Sequence, residues 1–361
     1  MSAGRSDVCA AWHHGRMEVS EHIDALTQHG TLLADVASQT PLDASVPSCP
    51  GWQLRDLLRH TGDVHRWAAR FVAEQLPGPV PRLTQAQQLA GGPPDAELTG
   101  WFRDGHAALV ATLRSADPGV CAWAFLPAPS PLAFWARRQA HETTIHRIDA
   151  ELAAGRAVRV GTRSAAEGTE AELAARRAVR VRMRSAADGT DGELAAGRAV
   201  RVRTRSAAEG TDGELAAGRA VRVGTPSTAD GIDAELAAAS TATVDAAFAA
   251  DGIDELILGF FGRDAEALTV QQRASSSRSL LVRATDTGQS WGVTLTADGG
   301  QVAAVCRGGG GAADCVVEGE AAALYLLLWN RAAPADAGVA VSGAAEVLAA
   351  WRAGLRVVWG G

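Results

Sequence analysis

The residues with the clearest chemical potential lie in one segment, His141-Glu142-Thr143-Thr144-Ile145-His146. A zinc-protease helix carries its two histidines four residues apart, whereas His141 and His146 are five apart. Five residues turn an α-helix by about 500°, so the two imidazoles point in directions about 140° apart. The pair therefore cannot hold one metal ion from a single face of the helix, and the spacing excludes a zinc-protease site.

Glu142 and His146 are the better pair, because residues four apart lie on the same face of a helix. A carboxylate on an apolar helix face costs free energy unless it is paired or bound to a metal. His60, on an earlier predicted helix, lies on the inward side of that helix with Leu57 and Val64. If the three polar side chains converge, they form a His2Glu set with an open coordination position, which is typical of catalytic zinc sites.

Each of the two histidines has an aspartate about one turn away on the same helix. Asp56 precedes His60 by four residues, and Asp149 follows His146 by three. Metal-binding imidazoles usually donate their second nitrogen to such an acceptor. Asp56 and Asp149 are therefore candidates to orient the two imidazoles.

The residue pattern by itself leaves simpler interpretations open. A single inward histidine is more often a hydrogen-bonded core residue than a ligand, and Glu142 could pair with Arg138 one turn before it. Cys49 lies just before the helix of His60, where the helix dipole could activate its thiol, although a buried structural thiol is the more common case.

The elements that carry these residues are predicted to be helices. Apolar spacing predicts four helices, namely residues 19–37, a helix that opens after Cys49-Pro50-Gly51-Trp52, residues 96–113 and residues 131–152. Four helices joined by polar segments predict an antiparallel bundle.

After residue 245 the pattern changes to that of a small α/β unit. A helix at 253–261 is followed by predicted strands at 279–285, 290–296 and 302–306, with a turn at 298–300. Helices at 320–329 and 344–355, each entered from a short Val-rich strand, are expected to pack on that sheet.

Between the two parts the phrase ELAA recurs every 21 residues, beginning at positions 151, 172, 193, 214 and 235. One Leu and two Val per unit can bury little surface, so the repeats are predicted to form a mobile insertion. The predicted organisation is an extension (1–16), a helical bundle (17–155), the repeat insertion (156–245) and a C-terminal α/β domain (246–361).

Composition excludes several functional classes. The formal net charge of −7 argues against nucleic acid as a partner. The chain contains no lysine, which excludes Schiff-base chemistry. No apolar run reaches the roughly 20 residues of a membrane span, and no secretory signal is evident. The five cysteines include no CxxC pair, and we expect them to be reduced thiols. Together with the missing membrane span and signal, this predicts a cytoplasmic protein without membrane partners.

The segments CPGWQLRDLLRHTGDVHRW and RRQAHETTIHRIDAEL resemble the two metal-binding segments of the mycothiol-dependent maleylpyruvate isomerase family. The stretches VVEGEAAALYLLLWNRAAP and VAVSGAAEVLAAWR resemble that family's C-terminal domain, which is similar to sterol carrier proteins. The resemblance covers roughly residues 17–154 and 246–359 and skips the repeats.

The resemblance implies a multidomain protein with a DinB-like four-helix bundle followed by a small α/β sterol carrier-like domain. It also implies that His60, Glu142 and His146 bind a divalent metal, usually zinc, at whose open position the thiol of mycothiol binds. Arg331 matches a family arginine and is the candidate catalytic residue, as an anion contact for the substrate. The expected function is addition of an activated low-molecular-weight thiol to a small-molecule electrophile, by a monomer acting as an isomerase or S-transferase. The alternative is a non-catalytic protein that binds a lipid or another small molecule in the sterol carrier-like domain.

Overall fold

A computed structural model of the chain describes residues 17–81, 83–156, 244–269, 276–296, 301–309 and 311–354. The extension 1–16, nearly all of the predicted repeat insertion and the whole of the predicted turn at 298–300 lie outside the described residues. No helix in the described part of the chain is long and apolar enough to cross a membrane.

The N-terminal part is a helical bundle, as the sequence predicts. Its helices are α1 (Val19–Gln39), α2 (Leu54–Ala73), the short α3 (Gln85–Ala90), α4 (Asp95–Ser115) and α5 (Pro131–Ala153). Helices α1 and α2 each pack against both α4 and α5. The inward faces of four helices therefore share one interior.

Helix α5 is the most deeply buried element of this bundle. It begins at Pro131, with the Ser130 hydroxyl accepting a hydrogen bond from the backbone of Ala133 at 3.1 Å. From Leu132 to Glu151 it is buried on nearly every side, including most of its charged residues. Because buried polar groups need hydrogen-bond partners, those side chains must pair inside the protein.

The C-terminal part begins with helical turns and continues as a mixed sheet. Helix α6 (Ala246–Asp254) runs directly into a π-helical segment (Glu255–Phe261) and then α7 (Gly262–Glu266). The other elements are β1 (Ser276–Ala284), β2 (Ser290–Thr296), β3 (Val302–Arg307), β4 (Cys315–Gly319), α8 (Ala321–Leu328), α9 (Pro334–Ala337), β5 (Ala340–Gly343) and α10 (Ala345–Gly354).

The five strands lie in the order β3-β2-β1-β4-β5. All neighbouring pairs are antiparallel except β1 and β4, which are parallel. Helices α8 and α10 pack against β1 and β4, and the core there includes the fully buried side chains of Val282, Trp291, Val317 and Trp351. The predicted strands and helices of the α/β unit are confirmed.

Gly252 allows α6 to lie directly against α5 and α8. A Cβ atom at this position would lie 2.2 Å from the Tyr325 ring and 2.8 Å from the His141 ring. Neither ring is free to retreat, because both are fully buried. The close approach brings the acidic residues of α6 and the following π-helical segment into contact with the basic residues of α5.

Candidate metal centre

His60 from α2 and Glu142 and His146 from α5 meet in the interior of the bundle. The Glu142 Oε1 atom lies 3.4 Å from His60 Nε2 and 3.3 Å from His146 Nε2. The three side chains are at most 9% exposed. They form one of two groups in the described residues whose ligand atoms lie close enough together to hold a metal ion.

The outer nitrogen of each imidazole faces a side-chain oxygen. His60 Nδ1 lies 3.0 Å from Gln88 Oε1, and His146 Nδ1 lies 2.9 Å from Asp149 Oδ2. Since an amide oxygen and a carboxylate accept hydrogen bonds, these contacts favour the proton on Nδ1. In a metal-bound form each ring would keep this Nδ1 proton and present its Nε2 lone pair beside Glu142 Oε1, an arrangement that suits a cation ligated by two imidazoles and a carboxylate.

Glu142 uses its two carboxylate oxygens for different partners. Oε1 faces the two histidines, whereas Oε2 accepts a hydrogen bond from Arg138 Nη2 at 3.0 Å. The sequence presents pairing with Arg138 and convergence with the two histidines as alternatives for Glu142. In the structure Glu142 makes both sets of contacts. The arginine leaves the inward oxygen available.

The pKa values of Glu142 and His146 show that the centre favours binding of a positive charge. Burial alone would raise the pKa of Glu142, but hydrogen bonds with His146 and His60 and the charges of His146 and Arg138 hold it well below its usual value. Burial would likewise lower the pKa of His146, but hydrogen bonds with Asp149 and Glu142 outweigh it and raise the pKa to about 9. The donor set thus attracts a proton or a metal cation.

Asp149 is held in turn by Arg331, which follows α8. Arg331 Nε and Nη2 donate to the two Asp149 oxygens at 2.8 Å each, and Nη1 donates to the Trp329 carbonyl at 2.7 Å. Burial would raise the pKa of Asp149, yet the charge of Arg331 and the hydrogen bond with His146 lower it. The predicted contact between Asp149 and His146 is thus present, and Arg331 holds the Asp149 carboxylate in place.

The structure corrects the sequence prediction for Asp56. Its carboxylate accepts a hydrogen bond from the Gln53 backbone N–H at 2.8 Å and closes the first turn of α2. The side chain that faces His60 Nδ1 is Gln88, on the short helix α3, which sequence reasoning missed. The signal for α3 was the capping box formed by Thr84 and Gln87.

A second buried triad consists of His22, His141 and Asp251. Both histidine Nε2 atoms lie 2.9 Å from Asp251 Oδ2, and Arg137 Nε donates to the same oxygen at 2.8 Å. His141 Nδ1 lies 3.3 Å from the hydroxyl of Tyr325. Burial, the largest influence, lowers the pKa of His141, so the neutral ring donates to Asp251 and accepts from the tyrosine.

The two triads differ in where the arginine binds the carboxylate. In the first triad Arg138 takes Oε2 of Glu142 and leaves Oε1 for the space between the histidines. In the second, Arg137 and the two histidines all meet the same Asp251 oxygen. The positive guanidinium bound to that oxygen would repel a metal ion at the same site. The second triad is therefore best explained as a hydrogen-bonded junction between α1, α5 and α6.

Cys49 lies near the centre but is a poor nucleophile. Its Sγ atom is 3.7 Å from Asp149 Oδ2. Burial, together with the negative charge of Asp149, raises the pKa of this thiol to about 12. The structural role is thus favoured over activation by the helix dipole.

At pH 8 we expect iodoacetamide to modify Cys49 more than about tenfold more slowly than the exposed Cys121 and Cys306, because alkylation requires the thiolate. Peptide mass spectrometry after timed alkylation of the folded protein measures the three rates. Similar rates at all three positions would contradict the raised pKa.

The fold and the two-histidine, one-carboxylate centre define a helical-bundle protein of the DinB-like class with a small mixed-sheet domain. Residues 23–151 match the sequence model of the mycothiol maleylpyruvate isomerase N-terminal domain, and residues 247–350 match that of the corresponding C-terminal domain. The chain belongs to the mycothiol-dependent maleylpyruvate isomerase family.

Among solved structures, the chain is similar to a crystal structure of a histidine-to-alanine variant of the mycothiol-dependent maleylpyruvate isomerase. The similarity has 10% sequence identity and a TM-score of 0.43, and covers 90% of this chain and 93% of the other. No curated protein sequence matches the chain significantly.

Proposed function

We propose that this protein is a metal-dependent, mycothiol-using enzyme. It would activate a low-molecular-weight thiol for addition to an electrophilic small molecule, in a reaction of the isomerase or S-transferase type. The observation that carries the proposal is the convergence of His60 Nε2, His146 Nε2 and Glu142 Oε1, with both Nδ1 atoms facing acceptors. Membership of the family supports mycothiol as the thiol.

The residues of the centre suit zinc, which favours imidazole and carboxylate ligands and retains an open position in catalytic sites. A zinc ion held there supplies a Lewis acid that keeps a coordinated thiol deprotonated near neutral pH. Gln88 and Asp149 orient the two imidazoles from outside the ligand set. Burial raises the pKa of Cys49 to about 12, so without a metal ion its thiol stays protonated. The four cysteines in the described residues are free, which fits the cytoplasmic location that we propose.

Arg331 is the residue that we assign as the anion contact for the substrate. Its side chain is 15% exposed, and two of its nitrogens donate to Asp149. A substrate carboxylate that binds Arg331 must share the guanidinium with Asp149, so substrate binding and the orientation of His146 are linked in this proposal.

The alternative, a protein that carries a lipid in its C-terminal domain, has less support. Lipid binding requires an apolar cavity beside the sheet. In the described residues, the core of the C-terminal part includes fully buried side chains such as those of Trp291 and Trp351. No observation on the described residues favours the carrier over the enzyme.

The proposal is tested by measuring how fast the protein converts a model electrophile with mycothiol, with a different thiol and with no thiol. Each rate is measured before and after a chelator removes the metal. We expect rapid reaction near neutral pH only with mycothiol and metal together, since the free thiol has a pKa of about 8.5 and is mostly protonated there. Restoring Zn²⁺ should restore the rate. Equal rates under all of these conditions would eliminate thiol-dependent metal catalysis.

A further inference from the structure

Arg138 lies between two buried carboxylates. Its Nη2 donates to Glu142 Oε2 at 3.0 Å, and its Nη1 forms an ion pair with Glu255 Oε2. The three side chains are 1–3% exposed. Glu142 belongs to the candidate metal centre in the bundle, whereas Glu255 is the first residue of the π-helical segment in the C-terminal part.

Aromatic rings from the C-terminal part also surround Arg138. The guanidinium carbon lies 5.2 Å from the centre of the Phe260 ring and 5.6 Å from that of the Trp329 ring. Both distances are within the range of cation–π attraction. Phe260 lies in the same π-helical segment as Glu255, and such segments frequently occur at functional sites. Residues of the C-terminal part therefore help to fix the position of Arg138.

Charge explains why a second carboxylate is needed. Arg138 paired with Glu142 alone would cancel the negative charge that attracts a cation to the centre. In a buried environment such charge effects are weakly screened. Glu255 offsets the charge of Arg138, so the Arg138–Glu142 hydrogen bond can orient the Glu142 carboxylate while Glu142 remains an effective anion.

We propose that Glu255 is a positioning residue for the metal centre, acting through Arg138 to orient Glu142 and preserve its charge. This inference rests on the proposed function, because it assumes that His60, Glu142 and His146 bind a metal ion. It makes the C-terminal domain part of the metal centre, although Glu255 does not itself face the ligand atoms.

The primary test is the affinity of Glu255→Gln for Zn²⁺, measured by competition with a chromophoric chelator. We expect binding to be about 10- to 100-fold weaker than in the unmodified protein, which is the usual effect of losing a group that orients a metal ligand. Asp254→Asn is the matched control. Asp254 is the neighbouring buried carboxylate, but it accepts hydrogen bonds from Trp291 and Arg307. Equal weakening in Asp254→Asn, or unchanged affinity in Glu255→Gln, would overturn the proposal.

Two further variants separate positioning from general damage, with circular dichroism confirming that each is folded. Glu255→Asp keeps the charge and should lose less affinity than Glu255→Gln. In an Arg138→Gln background, Glu255→Gln should have little additional effect on Zn²⁺ affinity, because the guanidinium that connects Glu255 with Glu142 is already absent. An undiminished effect in that background, or a loss in Glu255→Asp as large as that in Glu255→Gln, would contradict action through Arg138.

His60→Ala distinguishes failure of this inference from failure of the proposed function. If the unmodified protein binds no Zn²⁺, or if His60→Ala binds it equally well, the metal centre itself is wrong. If His60→Ala loses Zn²⁺ while Glu255→Gln retains the affinity of the unmodified protein, only the role of Glu255 is overturned.

Discussion

Purified protein should contain about one divalent metal ion per chain, and His60→Ala should reduce this content to near zero. The expectation follows from the geometry of the centre, in which His60 provides one of three ligand atoms and the only one from α2. Glu142 and His146 remain after the substitution, but two ligands from one helix bind a metal ion much more weakly than three. Elemental analysis of protein dialysed against metal-free buffer gives the stoichiometry.

The matched control is His22→Ala, which removes a buried histidine from the second triad. This variant should retain about one metal ion per chain, because the Arg137 guanidinium already binds Asp251 Oδ2 and would repel a cation there. Circular dichroism confirms that both variants are folded. Unchanged metal content in His60→Ala would refute the centre, and loss of metal in His22→Ala instead would place the ion in the second triad.

The direction of the key side chains could be predicted from the sequence alone. Helical spacing placed Glu142 and His146 on one face and excluded His141 from it, and the structure confirms both. In the structure His141 turns to Asp251 on α6, whereas His146 turns to Glu142. Spacing could not show that α2 would bring His60 to the same point, since that depends on packing between helices distant in sequence. The family resemblance supplied this step.

Residues around the ligands were harder to predict. Asp56 was assigned to His60 because it lies one turn away, but at the third position of a helix a carboxylate readily binds the backbone N–H of the N-cap residue. Gln88 was missed because α3 has only six residues and no apolar periodicity to indicate it. A short helix of this kind owes its position to tertiary packing, which local sequence does not encode.

The same limit applies to the C-terminal part. The strands were predictable from β-branched and alternating residues, but the parallel pairing of β1 with β4 joins segments that are far apart in the chain. The segment from residue 253 to 261 was predicted to be a helix, and the structure shows that it becomes π-helical at Glu255. A π-helix has no distinctive residue pattern, so the placement of Glu255 against Arg138 could not be foreseen.

Asp251→Ala should destabilise the protein by about 3–5 kcal/mol, a large fraction of the roughly 5–15 kcal/mol by which typical domains are stable. Asp251 accepts from Arg137, His22 and His141 through a single buried oxygen. Its removal leaves the buried Arg137 without its main carboxylate partner, and leaves both histidines without an acceptor. Urea unfolding followed by circular dichroism measures the change.

The matched control is Asp264→Ala, which removes a half-exposed carboxylate from α7. Asp264 pairs with Arg263 near the surface, where an ion pair contributes about 0–1 kcal/mol, so the free energy of unfolding should hardly change. Metal content separates the two triads further, since Asp251→Ala should keep its metal ion while losing stability. A stable Asp251→Ala protein that has lost its metal would show that Asp251 binds the ion and that Arg137 does not exclude it.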